Sequence, residues 1–312
     1  MPGLRFEPFS DAHVDDAAEL LAARHRRHLA VEPLLAVEPD FRAEVEGAWS
    51  EEGASGSVLF EDGELRGYVV AAPRPLTNTG LTWHVIGFAG LALEGEPETL
   101  RDLYADAAGR WVDAGHTRHG VYVPVSETGL IDAWFRLCFG ASAMTAAREA
   151  EVERFDSELI VRDGTPEDME AAVRLDGAMA DSMQPAPSFS GMTTISDEDR
   201  VEEWRDAWDD AELKHFVVER DGRVVGHLVL YKGRTGLRIP VDSIDISDAS
   251  TEPEARGAGV GRALTSHALT WAEENGFRSV TIDWRMTNLL ASRFWPKRGF
   301  RTTFLRMYRS IP

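Results

Sequence analysis

Arg256-Gly-Ala-Gly-Val-Gly261-Arg262 stands between a strand-like stretch, Ser243–Thr251, and a segment in which Leu264, His267, Ala268, Trp271 and Ala272 recur at helical spacing. Strand, glycine loop and helix in that order mark an α/β chain. Glycines at a helix N-terminus let backbone N–H groups approach an anion closely, and the helix dipole favours negative charge there. Phosphate is the usual guest; a tight structural turn is the alternative reading. Two nucleotide loops can be tested letter by letter. A dinucleotide fold wants glycine or alanine where this chain has Arg262, and an acid roughly 20 positions on. The nearest acid, Asp283, comes late. A P-loop wants Gly-Lys followed by Ser or Thr, which does not occur here. Both fit poorly.

Outward from the loop, the chain repeats itself at about 155 to 161 residues. Each half opens with an apolar strand, a Ser or Thr cap and an amphipathic helix. Leu4-Arg-Phe-Glu-Pro-Phe, Ser10 and a helix through Val14, Ala17, Ala18 and Leu21 match Glu158-Leu-Ile-Val-Arg, Thr165-Pro166 and a helix through Met169, Ala172, Val173 and Asp176. Hairpins follow, turning at Asp62-Gly63 and Asp221-Gly222. Later come helices bearing Trp111 or Trp271 with Gly115 or Gly276 as the stop, a Val-rich strand, and a last helix ending near Trp134 or Trp295. The order per half is strand, helix, hairpin, strand, helix, strand, helix, strand. That order predicts two α/β domains, each a mixed, mostly antiparallel twisted sheet flanked by helices. The boundary is expected in 141–157, giving domains 1–150 and 151–312.

The whole chain of 312 residues has 53 acidic against 33 basic side chains, 43% hydrophobic residues and one cysteine, Cys138. This is a globular composition with ample chain for a core. No apolar run approaches the roughly 20 residues of a membrane span, and no signal segment opens the chain. A lone cysteine suits a reducing cytoplasm. A net charge of −20 argues against nucleic acid or an anionic membrane as partner and permits a cationic substrate. From Arg256 onward, however, ten Lys/Arg face three acids, a local +7 against −27 elsewhere. A basic segment inside an acidic chain suggests a site for an anion.

Two motifs in order carry a resemblance. Pro253-Glu-Ala-Arg256-Gly-Ala-Gly259-Val-Gly261 looks like the Arg/Gln-x-x-Gly-x-Gly/Ala pyrophosphate loop of the GNAT superfamily of acyl-CoA-dependent N-acyltransferases. Asn288-Leu-Leu-Ala291-Ser-Arg-Phe-Trp295-Pro-Lys-Arg-Gly299-Phe300 follows at that family's spacing. The clear resemblance covers about 160 to 312, and the repeat extends it to a tandem plan similar to that of actinobacterial tandem-GNAT proteins. It implies acetyl-CoA as co-substrate and a small-molecule primary amine as acceptor, in a monomer or homodimer. Arg256, Gly257, Ala258, Gly259, Val260, Gly261, Arg262 and Asn288 would hold the cofactor. Ser292, Arg293, Trp295 and Lys297 follow on the next helix, with Arg293 and Lys297 as candidates for the adenosine phosphate. The main chain at Ala249, Ser250 and Thr251 would pair with the pantetheine arm and polarise the thioester carbonyl. The first copy departs from the pattern: Leu93-Glu-Gly-Glu-Pro-Glu-Thr-Leu100 has one glycine and acids at 94, 96 and 98, which repel a pyrophosphate.

Acyl transfer to an amine requires the ammonium to lose a proton, the carbonyl to be polarised and the thiolate to be stabilised. The resemblance implies a carboxylate on the strand before the loop as base, acting directly or through water, either Asp245 or Asp248. Alternation puts these on opposite faces of a regular strand, so one points at the cleft unless a bulge intervenes. The family's tyrosine position is Trp295 here, whose indole is no proton source at neutral pH. Tyr308, Ser292 or water would have to substitute. Acids near the loop entrance (Asp242, Asp245, Asp248, Glu252, Glu254) favour a cationic acceptor. His25-x-x-His28 and His116-x-x-His119 lack the further ligands of a metal site. The resemblance places acceptor selectivity in the segment from Asp181 to Ser196, with a mobile loop as the alternative reading. Trp295 and the degenerate first copy also suit a catalytically idle CoA-binding or sensor protein.

Overall fold

The computed structural model describes residues 3–76, 81–151, 155, 157–189, 196–233 and 235–312. These fall into two compact units: residues 1–145 with 236–238 and 302–312, and residues 146–235 with 239–301. The elements of the first run β1 (Leu4–Pro8), α1 (Val14–Leu29), α2 (Phe41–Trp49), β2 (Ser55–Glu61), β3 (Glu64–Leu76), β4 (Leu81–Ile86), β5 (Leu91–Leu93), α3 (Thr99–Asp113), β6 (Arg118–Pro124), α4 (Thr128–Arg136) and β7 (Gly140–Glu149). Then follow β8 (Ile160–Asp163), α5 (Met169–Met183), α6 (Asp197–Asp209), β9 (Leu213–Arg220), β10 (Arg223–Tyr231), β11 (Ser243–Thr251), α7 (Val260–Glu274), β12 (Ser279–Arg285), α8 (Leu289–Phe294) and β13 (Arg301–Ser310). The two lists repeat one another in order, except that β5, which pairs with β3, has no counterpart in the second.

Local chemistry explains the repeat. Each first helix is entered through a 3-10 turn closed by a capping box, Ser10 with His13 and Thr165 with Asp168. At the hairpin tips both central residues are left-handed: Asp62 and Gly63 at φ 51° and 88°, Asp221 and Gly222 at 52° and 75°. That is the type I′ geometry whose twist matches the flanking strands. Gly115 and Gly276 end α3 and α7 at φ 90° and 80°. Each half also has a helix that the sequence order did not separate, α2 or α6. Both hide little: Val45 alone is buried in α2, Arg200 and Trp204 in α6. A narrow apolar stripe gives a weak periodic signal.

In the first unit β1, β2, β3 and β4 pair antiparallel in order, β4 and β6 run parallel, and β6 pairs antiparallel with β13. Trp111 and Trp134 are fully buried, Tyr104 nearly so, and Phe9, Leu21, Tyr68 and Phe304 belong to a neighbouring core. In the second unit β8, β9, β10 and β11 pair antiparallel, and β11 runs parallel to β12. Its sheet has a helix on each face. A Cβ at Gly226 would meet Val260 and Leu264 of α7, whereas Ser250, opposite His227, donates to the carbonyl of Leu175 in α5. Each unit is a mixed α/β sheet flanked by helices, as the sequence order implied.

Candidate active site

The site is made where two parallel strands part. β11 and β12 pair from Ser243/Ser279 to Ile246/Ile282, yet β11 runs on to Thr251 and β12 to Arg285. Beyond Ile246, β11 pairs only through β10, with Asp248, Ala249, Ser250 and Thr251 opposite Val229, Leu228, His227 and Gly226. Its other edge carries the backbone N–H and C=O groups that an extended ligand can pair with. The ladder also slips here. Leu230 faces Ile246 and Val229 faces Asp248, so Ser247 is an extra residue on β11. A bulge reverses the alternation. Asp245, opposite Tyr231, and Asp248, opposite Val229, therefore share one face, the face covered by α5.

Their surroundings differ. Asp245 is buried and accepts a hydrogen bond from Thr281 Oγ1 of β12. Asp248 lies mostly buried beside His227, whose Nε2 stands 3.4 Å from its Oδ2. Burial pushes the Asp248 carboxyl up to about 7, against a backbone hydrogen bond at Ala249 that favours the charged form. Burial pulls the fully enclosed His227 down to about 3, so its ring is neutral. From α5, Asp176 is raised to about 6 by burial and by the charge of Asp248, against the attraction of Arg200.

At the strand's end the chain enters the glycine loop. Gly257 and Gly259 take φ of 80° and 86°, which other residues rarely adopt, and Gly259 caps α7. The first helical bond runs from the Ala263 N–H to the Gly259 carbonyl, and no side chain caps the amides of Val260 and Gly261 before it. These are unspent donors at the positive end of a 15-residue helix. The loop is braced from behind. Buried Glu252 receives Arg174 of α5 at 2.9 Å and Arg223 of β10 at 2.8 Å. The Arg262 guanidinium lies 4.2 Å over the ring of Phe155.

A cleft of about 400 Å³ runs along this edge, from Met179 and Ser182 of α5 past β11 and the loop to α8. Eleven of the fifteen residues expected to hold the cofactor line it: Ala249, Ser250, Thr251, Arg256, Gly257, Gly259, Val260, Gly261, Arg262, Asn288 and Trp295. Ala258, Ser292, Arg293 and Lys297 are not in the lining. Ser292 Oγ is turned to the carbonyl of Met286, and Arg293 and Lys297 are exposed. Asn288 caps α8, accepting from the amides of Leu290 and Ala291. Trp295 is buried edge-on against Phe294 and Phe300. Tyr308 lies on β13 in the first unit, its ring edge-on to Trp83. Asp176 as a neighbour of Asp248, His227, and Glu252's role as a brace escaped the sequence reading. The first two are isolated letters in helix and strand, and only burial distinguishes them.

This open strand edge and glycine-capped helix coincide with a family match: residues 179–300 fit the model of the acetyltransferase (GNAT) family. The chain carries a GNAT-family domain. It is 26% identical over 92 residues to the putative [ribosomal protein bS18]-alanine N-acetyltransferase of Bacillus subtilis (strain 168). That match covers 30% of this chain and 56% of the relative, so the chain spans little more than half the relative's length. Among solved structures, a GCN5-related N-acetyltransferase from Sphaerobacter thermophilus superposes with a TM-score of 0.61 at 13% identity, over 98% of this chain and 95% of that one. A tandem GNAT protein from the clavulanic acid biosynthesis pathway superposes at 0.54 and 15% identity, over 98% of each chain. At such identities the likeness establishes the GNAT fold in tandem.

The corresponding region of the first GNAT-like unit is filled by its own groups. At the start of α3 the amides of Thr99, Leu100 and Arg101 are taken by the carbonyls of Glu96, Pro97 and Glu98. Arg24 of α1, fully buried, donates to the carbonyls of Phe88 and Leu91 on the backbone joining β4 to β5, and Tyr68 donates to Ala89. The histidine pairs are likewise engaged: His25 with the Ala36 carbonyl, His28 edge-on to Phe304, His116 stacked on His84, and His119 with Tyr104. Among the described residues no group of three or more His, Cys, Asp or Glu could hold a metal ion. No helix there is long and apolar enough to cross a membrane. Within the expected selectivity segment, residues 190–195 lie outside the described residues.

Proposed function

We propose that the second unit transfers an acetyl group from acetyl-CoA to a primary amine of a small molecule, and that 1–150 and 151–312 are the two copies of a duplicated domain, the first without a working pyrophosphate loop. One observation carries the reading: the one-sided edge of β11 leads through the glycine loop to uncapped amides at the start of α7. Such an edge suits a pantetheine arm, and such amides suit a pyrophosphate. When bound, the thioester supplies an acyl group on a carbonyl whose sulfur can depart.

The chain's own residues supply the rest. An ammonium with pKa near 10 is almost wholly protonated at neutral pH, so a base must take its proton. Asp248 is suited to this, raised to about 7 and standing on the face toward α5. Asp245 is tied to Thr281. The amine nitrogen bonds to the acyl carbon as the carbon–sulfur bond breaks. One ammonium proton goes to Asp248 before attack, the nitrogen's second proton leaves to water as the amide forms, and the departing sulfur takes a proton from water in exchange, because buried Trp295 offers none. The backbone at 249–251 polarises the carbonyl from the open edge.

Trp295 in the tyrosine position favours a second reading, a CoA-binding protein without turnover. Thiol release from acetyl-CoA against a panel of amines separates the two. A peptide beginning with alanine, the residue in the Bacillus relative's name, belongs in the panel. Calorimetry showing no CoA binding overturns both.

A further inference from the structure

Of the five acids near the loop entrance, four have other duties or positions. Asp242 faces Arg278 at 3.8 Å, Asp245 takes the Thr281 hydroxyl, Glu252 holds two arginines, and Glu254 is exposed on the turn before the loop. Asp248 is different. Its Oδ1 is a buried atom without a hydrogen-bond partner among the described residues. Its neighbour His227 is fully buried and lines the cleft, and neither ring nitrogen has a hydrogen-bond partner there. Buried polar atoms left this way mark a place where a ligand or water completes the set.

Asp176 joins them from α5, one turn before Met179, which also lines the cleft. Its carboxyl is 24% exposed and 3.3 Å from Arg200, which is itself buried and held by Asp197 at 3.1 Å. The charges can be counted. Arg200 matches Asp176, Asp197 stands in solvent, His227 is neutral, and Asp248 has no cation of its own. Each buried carboxyl raises the cost of ionising its neighbour, and one ammonium would relieve both.

We propose that the cluster of Asp176 and Asp248 behind His227, which lines the cleft, receives the acceptor's ammonium, and that it selects amines with a single positive charge over amino acids and other amines bearing a carboxylate. This rests on reading the second unit as an N-acetyltransferase. Asp248 meets the reacting nitrogen. Asp176 acts through charge, as a specificity residue.

The test uses three acceptors sharing one body, phenethylamine, phenylalanine methyl ester and phenylalanine, with the full chain and acetyl-CoA. The amine and the ester are expected to exceed the free amino acid by about tenfold or more in kcat/KM, the scale of one uncompensated like charge at close range. Asp176→Asn should raise KM for the cationic acceptors by about tenfold, change kcat less, and narrow the gap to phenylalanine. Calorimetric CoA binding reports whether the variant is folded, and the ester-to-acid comparison in the unmodified protein needs no variant. Equal rates for ester and acid overturn the proposal alone. So does a folded Asp176→Asn with unchanged selectivity. No thiol release with any amine, while CoA still binds, overturns the parent reading with it.

Discussion

His227 Nε2 stands 3.4 Å from Asp248 Oδ2 across neighbouring strands, and the strand register brings them together without making them direct partners. His227 faces Ser250, and Asp248 is two residues away on the same face. A neutral imidazole there adds no charge to hold the carboxylate ionised, which leaves Asp248 a poised proton acceptor and not a fixed anion.

Asp248→Asn should therefore lower turnover by about 10²–10⁴-fold, the usual worth of a general base. The loss should shrink as pH rises toward the amine's own pKa, where free amine appears unaided. Asp245→Asn should disturb the β11–β12 junction instead, lowering the melting temperature more than it alters the pH profile. A pH–rate series on both variants decides. A flat, undiminished rate in Asp248→Asn would show that the acceptor deprotonates in bulk water.

Gly259→Ala and Gly257→Ala form a controlled pair. Both place alanine at a left-handed φ, which costs about 1–2 kcal/mol. At Gly257 the added methyl meets open space, whereas at Gly259 it comes within 3.1 Å of the Phe155 ring that Arg262 overlies. Calorimetry should show CoA affinity falling further in Gly259→Ala. Equal affinities would mean that the Phe155–Arg262 stack has no part in shaping the loop.

Trp295 should behave as a packing residue. Trp295→Ala empties the space between Phe294 and Phe300 and should cost the second unit about 3–5 kcal/mol. Trp295→Phe should cost less and leave the shape of the pH–rate curve unchanged. A lost basic limb in Trp295→Phe would instead identify the indole's surroundings as the source of the leaving group's proton.

Acid should weaken the two units unequally. His28 and His84 in the first, and His215 and His227 in the second, are held near 3 chiefly by burial. The unfolded chain binds their protons first, so the stability they contribute is full above about 6.5 and is lost as pH falls toward 3. In the second unit Asp176 and Asp248 run the other way. Their folded values are raised, so their contribution is full below the unfolded value near 4 and is lost as pH rises through about 6 and about 7. Between pH 7.5 and 5.5 the second unit's changes partly offset, and the first unit's do not. Hydrogen exchange at the two pH values should show amides of β2, β3 and β6 losing protection more than those of β9 and β10. Uniform loss would contradict the assignment.

Much of this protein is written locally. The Asp-Gly tips, the Ser10 and Thr165 caps, the terminal glycines of α3 and α7 and the Gly257–Gly261 loop are each set by residues within a few positions, so their letters announce them. The acid-rich turn leading into α3, whose first amides go to carbonyls three residues back, is set locally in the same way. By itself, then, the sequence determined the tandem α/β plan and the place of the glycine loop in its second half.

Which carboxylates of β11 share a face, and which of them keeps an oxygen without a partner, was decided elsewhere. Alternation along β11 separates Asp245 from Asp248; only the slip of the ladder against β10 at Ser247 puts them on one face, and only Thr281 on β12 then takes one of them away. Asp176 and Arg200 arrive from helices far along the chain, and Tyr308 belongs to the other unit. Periodicity specifies the conformation of a segment. Register and burial depend on what lies across from it, and strands and helices distant in sequence supply that.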